Sequence, residues 1–244
     1  MFDANRLLAR VIDRGVAGGL LGGALGAGAV GMLGSKQGRK MAKTALKLGG
    51  IAAVGALAYH AYARYKAGVA GGGAAPGATS RAASIAAPLP AAVAAASGEP
   101  RELPAPPAGS GFVPDEADRE AVQTVGVTLL RAMIAAAKAD GEIDSTEGQR
   151  LFAEMERHGL DPEERAFLVR ELSRPVDLES IVGAARTPQL AAEIYAASAM
   201  AIEVSNPSES AYLQLLASRL RLEPGLVAEL NRTVAAGSVA GASA

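Results

Sequence analysis

The second half of this chain is punctuated by helix starts. Asp161-Pro162-Glu163-Glu164, Thr187-Pro188 and Asn206-Pro207-Ser208-Glu209 each pair a side-chain oxygen acceptor with a proline directly after it. The acceptor satisfies a first-turn amide, the proline already has helical φ at a position with no N–H to lose, and a third-position glutamate can reach back to the cap. Upstream, Val122, Val125, Leu129, Met133 and Ala136 recur at intervals of three or four, the spacing of one helix face. No segment alternates as a half-buried strand would. The pattern predicts an all-α fold, with helices near 117–138, 146–158, 162–172, 177–184, 188–204, 208–220 and 224–234. These make a bundle of about seven helices over 116–235, followed by a disordered tail at 236–244. Its predicted core comprises Val125, Leu129, Met133, Ile143, Leu151, Phe152, Met155, Phe167, Leu168, Leu172, Ile181, Leu190, Ile194, Met200, Ile202, Leu213, Leu216 and Leu220.

Charge divides the chain into three kinds of polypeptide. Residues 1–66 carry ten Lys/Arg against two Asp, residues 67–113 two of each sign, and residues 114–244 twelve Lys/Arg against twenty-one Asp/Glu. The basic first part is rich in Gly, Ala and Leu and lacks the interleaved aromatics of a base-stacking platform, so it fits anionic lipid better than nucleic acid. The acidic last part also argues against nucleic acid. Residues 67–115 read as a flexible linker. Sixteen Ala, eight Gly and seven Pro fill most of positions 67–113, a composition that cannot bury a core.

Within the basic part, Gly15 to Ser35 has no charged residue and is long enough to cross the hydrocarbon of a bilayer as a helix. Gly15, Gly19 and Gly23, with Gly18, Gly22 and Gly26, form two adjacent glycine ridges of the kind that let helices approach closely, which predicts self-association. A second uncharged run, Leu48 to Ala63, ends in Tyr59, Tyr62 and Tyr65 beside Arg64 and Lys66, an arrangement like an interfacial anchor. Between the runs lie Lys36, Arg39, Lys40, Lys43 and Lys47. Residues 1–66 therefore read as a membrane-associated segment with one or two spans. The positive-inside rule conflicts with itself here, because basic residues flank every apolar run. Two arrangements fit: a two-span hairpin, or a single span near 44–63 with the glycine-rich stretch lying on or partly in the bilayer and the domain opposite the basic stretch. The alternatives to membrane attachment are a removed signal peptide and a soluble Gly/Ala-rich oligomerisation segment.

Catalytic chemistry finds few candidates. The absence of cysteine excludes disulfides, thiol nucleophiles and iron–sulfur clusters, and His60 and His158 form no ligand pair. Gly26-Ala27-Gly28-Ala29-Val30-Gly31 matches a dinucleotide fingerprint by glycine spacing, but lysines follow it where an acidic ribose ligand belongs. No enzyme activity and no organic cofactor are predicted. The remaining motif is Lys138-Ala139-Asp140-Gly141-Glu142-Ile143-Asp144 followed by Glu147, which matches the second half of a calcium-binding loop. Ala136 and Lys138 stand where the first two oxygen ligands belong. Asp144 to Glu147 also reads as a capping box. Asp140, Asp144 and Glu147 are thus candidate ligands for a divalent cation, or parts of a helix–turn–helix junction. Glu142, Glu203 and Glu209 are possible further donors.

This motif, with Ala201-Ile202-Glu203, Pro207, Glu209, Tyr212-Leu213 and Leu216-Ala217, resembles the tellurite-resistance TerB-like helical domain. Together with the basic Gly-rich start and the Ala/Pro linker, it resembles the YebE-like bacterial inner-membrane proteins, a family of unknown function. The resemblance implies an all-helical domain, an inner-membrane location and, in tellurite-resistance relatives, an acidic patch for divalent metal. Asp140, Asp144 and Glu147 are the matching positions. Where that family carries aspartate in its second motif, this chain has Glu203 and the Ser205-Asn206 pair. The expected role is a membrane-tethered interaction module with lipid and an unidentified protein as partners, or alternatively a metal-binding envelope-stress accessory protein.

Overall fold

A computed structural model describes residues 2–13, 49–70, 103–139, 141, 155, 159–202 and 207–239. Their secondary structure is entirely helical. In chain order the helices are α1 (Ala4–Asp13), α2 (Gly50–Ala70), α3 (Arg119–Ala137), α4 (Pro162–Ser173), α5 (Leu178–Ala184), α6 (Pro188–Met200), α7 (Pro207–Arg219) and α8 (Pro224–Val239). The helix starts follow the punctuation in the sequence. Asp161 and Glu164 form a complete capping box before α4, Thr187 accepts from Leu190 N–H before α6, and Pro162, Pro188 and Pro207 each open a helix. Of the predicted helix 146–158, Met155 is described and is helical. Leu160 N–H donates to Met155 O across Gly159, whose φ is +60°, the left-handed stop expected at a helix C-terminus.

Helix α6 is the axis of the core. Ala191 through Ala199 are all buried, so the helix is covered all round and needs small side chains to admit its neighbours. It packs on α3, α2 and α8, and the Ser198 hydroxyl donates to Ala132 O of α3 at 3.3 Å. The predicted core residues Leu129, Met133, Met155, Phe167, Leu168, Leu172, Ile181, Ile194, Ile202, Leu213, Leu216 and Leu220 are buried, with Val125, Leu190 and Met200 packed partly buried against them. Ile143, Leu151 and Phe152 lie outside the described residues.

The N-terminal helices share this core. Leu7, Leu8, Val11 and Ile12 of α1, and Ile51, Val54, Leu57, Ala58 and Ala61 of α2, are buried in the same cluster. The Asn5 side chain accepts from Ile51 N–H at 3.0 Å, and Gln123 of α3 accepts from Ala4 N–H at 3.0 Å. Arg10 pairs with the buried Glu164 at 2.6 Å. Two glycines permit the crossings. A Cβ at Gly50 would lie 2.3 Å from Ala9 N, and one at Gly126 would lie 2.9 Å from Ala4 Cβ. From Gly50 onward, the second uncharged run is thus a helix with its apolar side against protein.

Residues 67–70 continue α2, and 103–118 form a strap lying along it. Phe112 is buried against Tyr59 and Tyr62, with ring centroids 5.7 and 5.6 Å away, and the His60 ring hydrogen-bonds with Pro104 O at 3.2 Å. Tyr65 faces Gly225 of α8. The three tyrosines expected at a lipid interface therefore pack within the protein. One described helix, α3, is long and apolar enough to cross a membrane. It is a core helix here, with ten consecutive or near-consecutive residues from Gly126 to Ala137 buried.

Candidate functional site

The acidic junction begins where α3 ends. Ala136 is buried in the last helical turn, and Lys138 caps the helix, its N–H reaching Ala136 O and Ile134 O. The Lys138 ammonium donates to Leu172 O at 2.7 Å and Arg174 O at 2.6 Å, satisfying carbonyls that the C-terminus of α4 leaves open. The two positions that would begin a calcium loop are thus a buried methyl and a structural cation. Gly141 has φ +157° and donates to Lys138 O at 3.3 Å. Asp140, Asp144 and Glu147 lie outside the described residues, as do Glu142 and Glu203 and the six ridge glycines, Gly15, Gly18, Gly19, Gly22, Gly23 and Gly26. Glu209 sits in the first turn of α7. Among the described residues no three Asp, Glu or His side chains gather as metal ligands.

Beside this junction a groove of about 360 Å³ opens between the end of α3 and the turn from α4 to α5, lined by Arg131, Ile134, Lys138, Glu171, Arg174 and Asp177 among others. Its electrostatic centre is Glu171, whose side chain is 7% exposed. Arg131 grips it with two hydrogen bonds of 3.1 Å each, and Arg174 stands 3.6 Å away. Paired this way, a carboxylate can remain charged while nearly buried. The Asp177 side chain is committed to capping α5 through Ser180 N–H. Lys138, Arg131 and Asp177 therefore brace three helix ends around the groove. Arg131, Lys138 and Arg174 outnumber its two carboxylates, so the rim is mildly cationic. Sequence reading did not find this cluster, because Arg131 and Glu171 are forty residues apart and no local spacing signals them.

A second buried carboxyl has no such partner. Glu193, in the middle of α6, is 2% exposed, and its Oε1 is unpaired. Burial pushes its carboxyl well above the usual carboxylate range. It faces Gly55 of α2, where a Cβ would lie 3.0 Å from Oε1 and 2.4 Å from Phe112 O of the strap. Nearby in α6, Tyr195 donates to Asn231 Oδ1 at 3.0 Å. The Tyr212 hydroxyl of α7 is buried without a hydrogen bond of good geometry; burial pushes its pKa up to about 12, with the Ser198 hydroxyl acting weakly the other way. A signal for Glu193 was present in the sequence, as the one charge in the Leu190–Met200 run of alanines and apolar residues.

Neither feature assembles a nucleophile, base and electrophile in one place. Glu171 is neutralised by arginines, and Glu193 is enclosed by packed helices. No curated protein and no solved structure gives a significant match to this chain. A family model does match, over residues 19–234, a span that takes in most of the glycine-rich run, α2, the strap and the bundle as far as the third turn of α8. The chain therefore belongs to the family described as Protein of unknown function (DUF533).

Proposed function

We propose that this protein is a non-enzymatic helical interaction module held at the bacterial inner membrane by residues 14–48, with lipid and an unidentified protein as its partners. The observation that carries the reading is the length of chain inserted between α1 and α2. These helices touch each other directly, and helix–helix connections in bundles need only about 2–8 residues. Here the connection, residues 14–49, has thirty-six, twenty-one of them an uncharged run and the rest carrying Arg14 and five further cations. That composition suits a bilayer surface bearing anionic headgroups, where each Lys or Arg contributes about 1 kcal/mol. The likeness to YebE-like inner-membrane proteins supports the same location.

Flotation on a density gradient tests it. The full chain is expected to rise with vesicles containing phosphatidylglycerol, and to do so less with phosphatidylcholine alone. Replacing residues 15–35 by a Gly/Ser sequence of equal length should leave it at the bottom. A full chain that stays at the bottom with both vesicle types overturns the reading.

The alternative, a divalent-metal site of the TerB-like kind at Asp140, Asp144 and Glu147, draws less support. Lys138 places a cation two residues from Asp140 and is engaged with the end of α4. Calorimetric titration of the full chain with calcium, magnesium, manganese and zinc is expected to give no binding heat. Heat that disappears in the Asp140→Ala, Glu147→Ala double variant would establish the metal site instead.

A further inference from the structure

Resting on the membrane reading above, we infer that the chain meets the bilayer from one side only, with its first residues and its helical core together in the cytoplasm. The core fixes both attachment points of residues 14–48. Asn5 Oδ1 accepts from Ile51 N–H at 3.0 Å, and the α-carbon of Gly50 is pressed against Leu8 and Ala9 so closely that a Cβ would strike both. Asp13 ends α1 four residues after Ala9, about 6 Å further along the helix axis. The intervening chain therefore leaves and re-enters the core at neighbouring points.

An odd number of crossings would put those two points on opposite faces of about 30 Å of hydrocarbon. Helix α1 would then have to leave the core, exposing Leu7, Leu8, Val11 and Ile12 and stripping Arg10 from Glu164, which is 1% exposed. Two full crossings fail on composition. Gly15 to Ser35 supplies enough length for one, but the return would fall to residues 36–48, with Lys36, Arg39, Lys40, Lys43 and Lys47 inside the hydrocarbon. The uncharged run beginning at Leu48 offers no substitute, since from Ile51 onward its apolar side is seated in protein.

One-sided contact also removes the conflict in the charge pattern. Arg6, Arg14, the lysine-rich stretch, Arg64 and Lys66 all fall on one side. The negative surface potential of the cytoplasmic leaflet attracts such a basic surface, which assigns that side to the cytoplasm.

The chain has no cysteine, so single introduced thiols report without background. Asp3→Cys, on the exposed entry to α1, and Leu215→Cys, on a surface position of α7 that is 49% exposed, would each be treated with a membrane-impermeant maleimide. Intact spheroplasts and inside-out membrane vesicles provide the two orientations. Asp3 Oδ1 accepts from Arg6 N–H at 3.0 Å in the first turn of α1, so Arg6→Cys gives a second report on α1 should loss of that cap disturb it. Both sites are expected to label in inside-out vesicles and to stay protected in spheroplasts until detergent is added. Labelling of the two sites from opposite sides overturns the inference while leaving membrane attachment intact. Labelling of both in spheroplasts overturns the cytoplasmic assignment. Recovery of the full chain in the soluble fraction overturns both this inference and the membrane reading beneath it.

Discussion

Replacing Gly50 by valine is expected to unseat α1 and to lower the stability of the folded chain by roughly 3 kcal/mol or more. The cost arises at backbone, which cannot step aside as a flexible side chain would. A Cβ at this position would lie 2.3 Å from Ala9 N and 2.6 Å from Leu8 C, so α1 must shift as a body, and overpacking of a filled core typically costs about 1–3 kcal/mol or somewhat more. The shift also pulls Arg10 away from Glu164, leaving a nearly buried carboxylate without its counter-charge. Urea unfolding followed by circular dichroism would read the loss, and hydrogen exchange would show residues 4–13 deprotected before the rest. Gly68 is the control: nothing lies within 4 Å of a Cβ there, and Gly68→Ala should stabilise α2 by about 0.5–1 kcal/mol. Wild-type unfolding in the Gly50→Val protein would mean that α1 does not cross α2 where described.

The Glu193→Gln variant is expected to be more stable than the parent at pH 8, by about 1–3 kcal/mol, with the advantage shrinking on acidification. Burial raises the Glu193 pKa in the folded state, so the folded chain holds this proton more tightly than the unfolded one. Such a group contributes its full stabilisation below the ordinary carboxylate pKa, and loses it progressively as pH climbs through the raised folded value. Glutamine keeps the shape, bears no titrating proton and cannot be driven to ionise beside Gly55 and Phe112 O. Each pH unit by which the folded pKa exceeds the unfolded one is worth about 1 kcal/mol or a little more, and glutamine, which has no proton to hold, escapes that cost. Melting temperatures of the two proteins between pH 4.5 and pH 8.5 would show it. If the parent gains on the variant as pH rises, the carboxylate is ionised and paired, contrary to its enclosed position.

Both predictions concern positions that the sequence disclosed unevenly. Helix starts were legible because Asp161, Thr187 and the prolines after them act within one turn, and the period of Val125, Leu129 and Met133 points to a face whichever partner covers it. The destination of α1 and α2 was not. Leu7, Leu8, Val11 and Ile12 already show helical spacing, but the arginines among them suggested a basic flank. In α2, an uncharged run of Ala, Val and Leu is equally at home against lipid tails or against the small side chains of α6, because both surroundings are apolar. Hydropathy measures transfer out of water, and it is silent on what replaces the water. The Arg131–Glu171 cluster was hidden for another reason: it joins two helices through side chains forty residues apart. The acidic junction was half legible, since Ala136 and Lys138 showed that the beginning of a calcium loop was missing, while the roof Lys138 forms over the end of α4 depends on tertiary placement.

The hydrogen bond from Ala4 N–H to Gln123 has a consequence for biosynthesis. A ribosome adding about 5–20 residues per second needs roughly 6–24 s to travel from one partner to the other, and longer before α6 and α8 emerge to close the core. During that interval α1 has been made but its resting place has not. The uncharged run at Gly15–Ser35 leaves the exit tunnel early in the same window, so the membrane contact proposed above would precede completion of the fold.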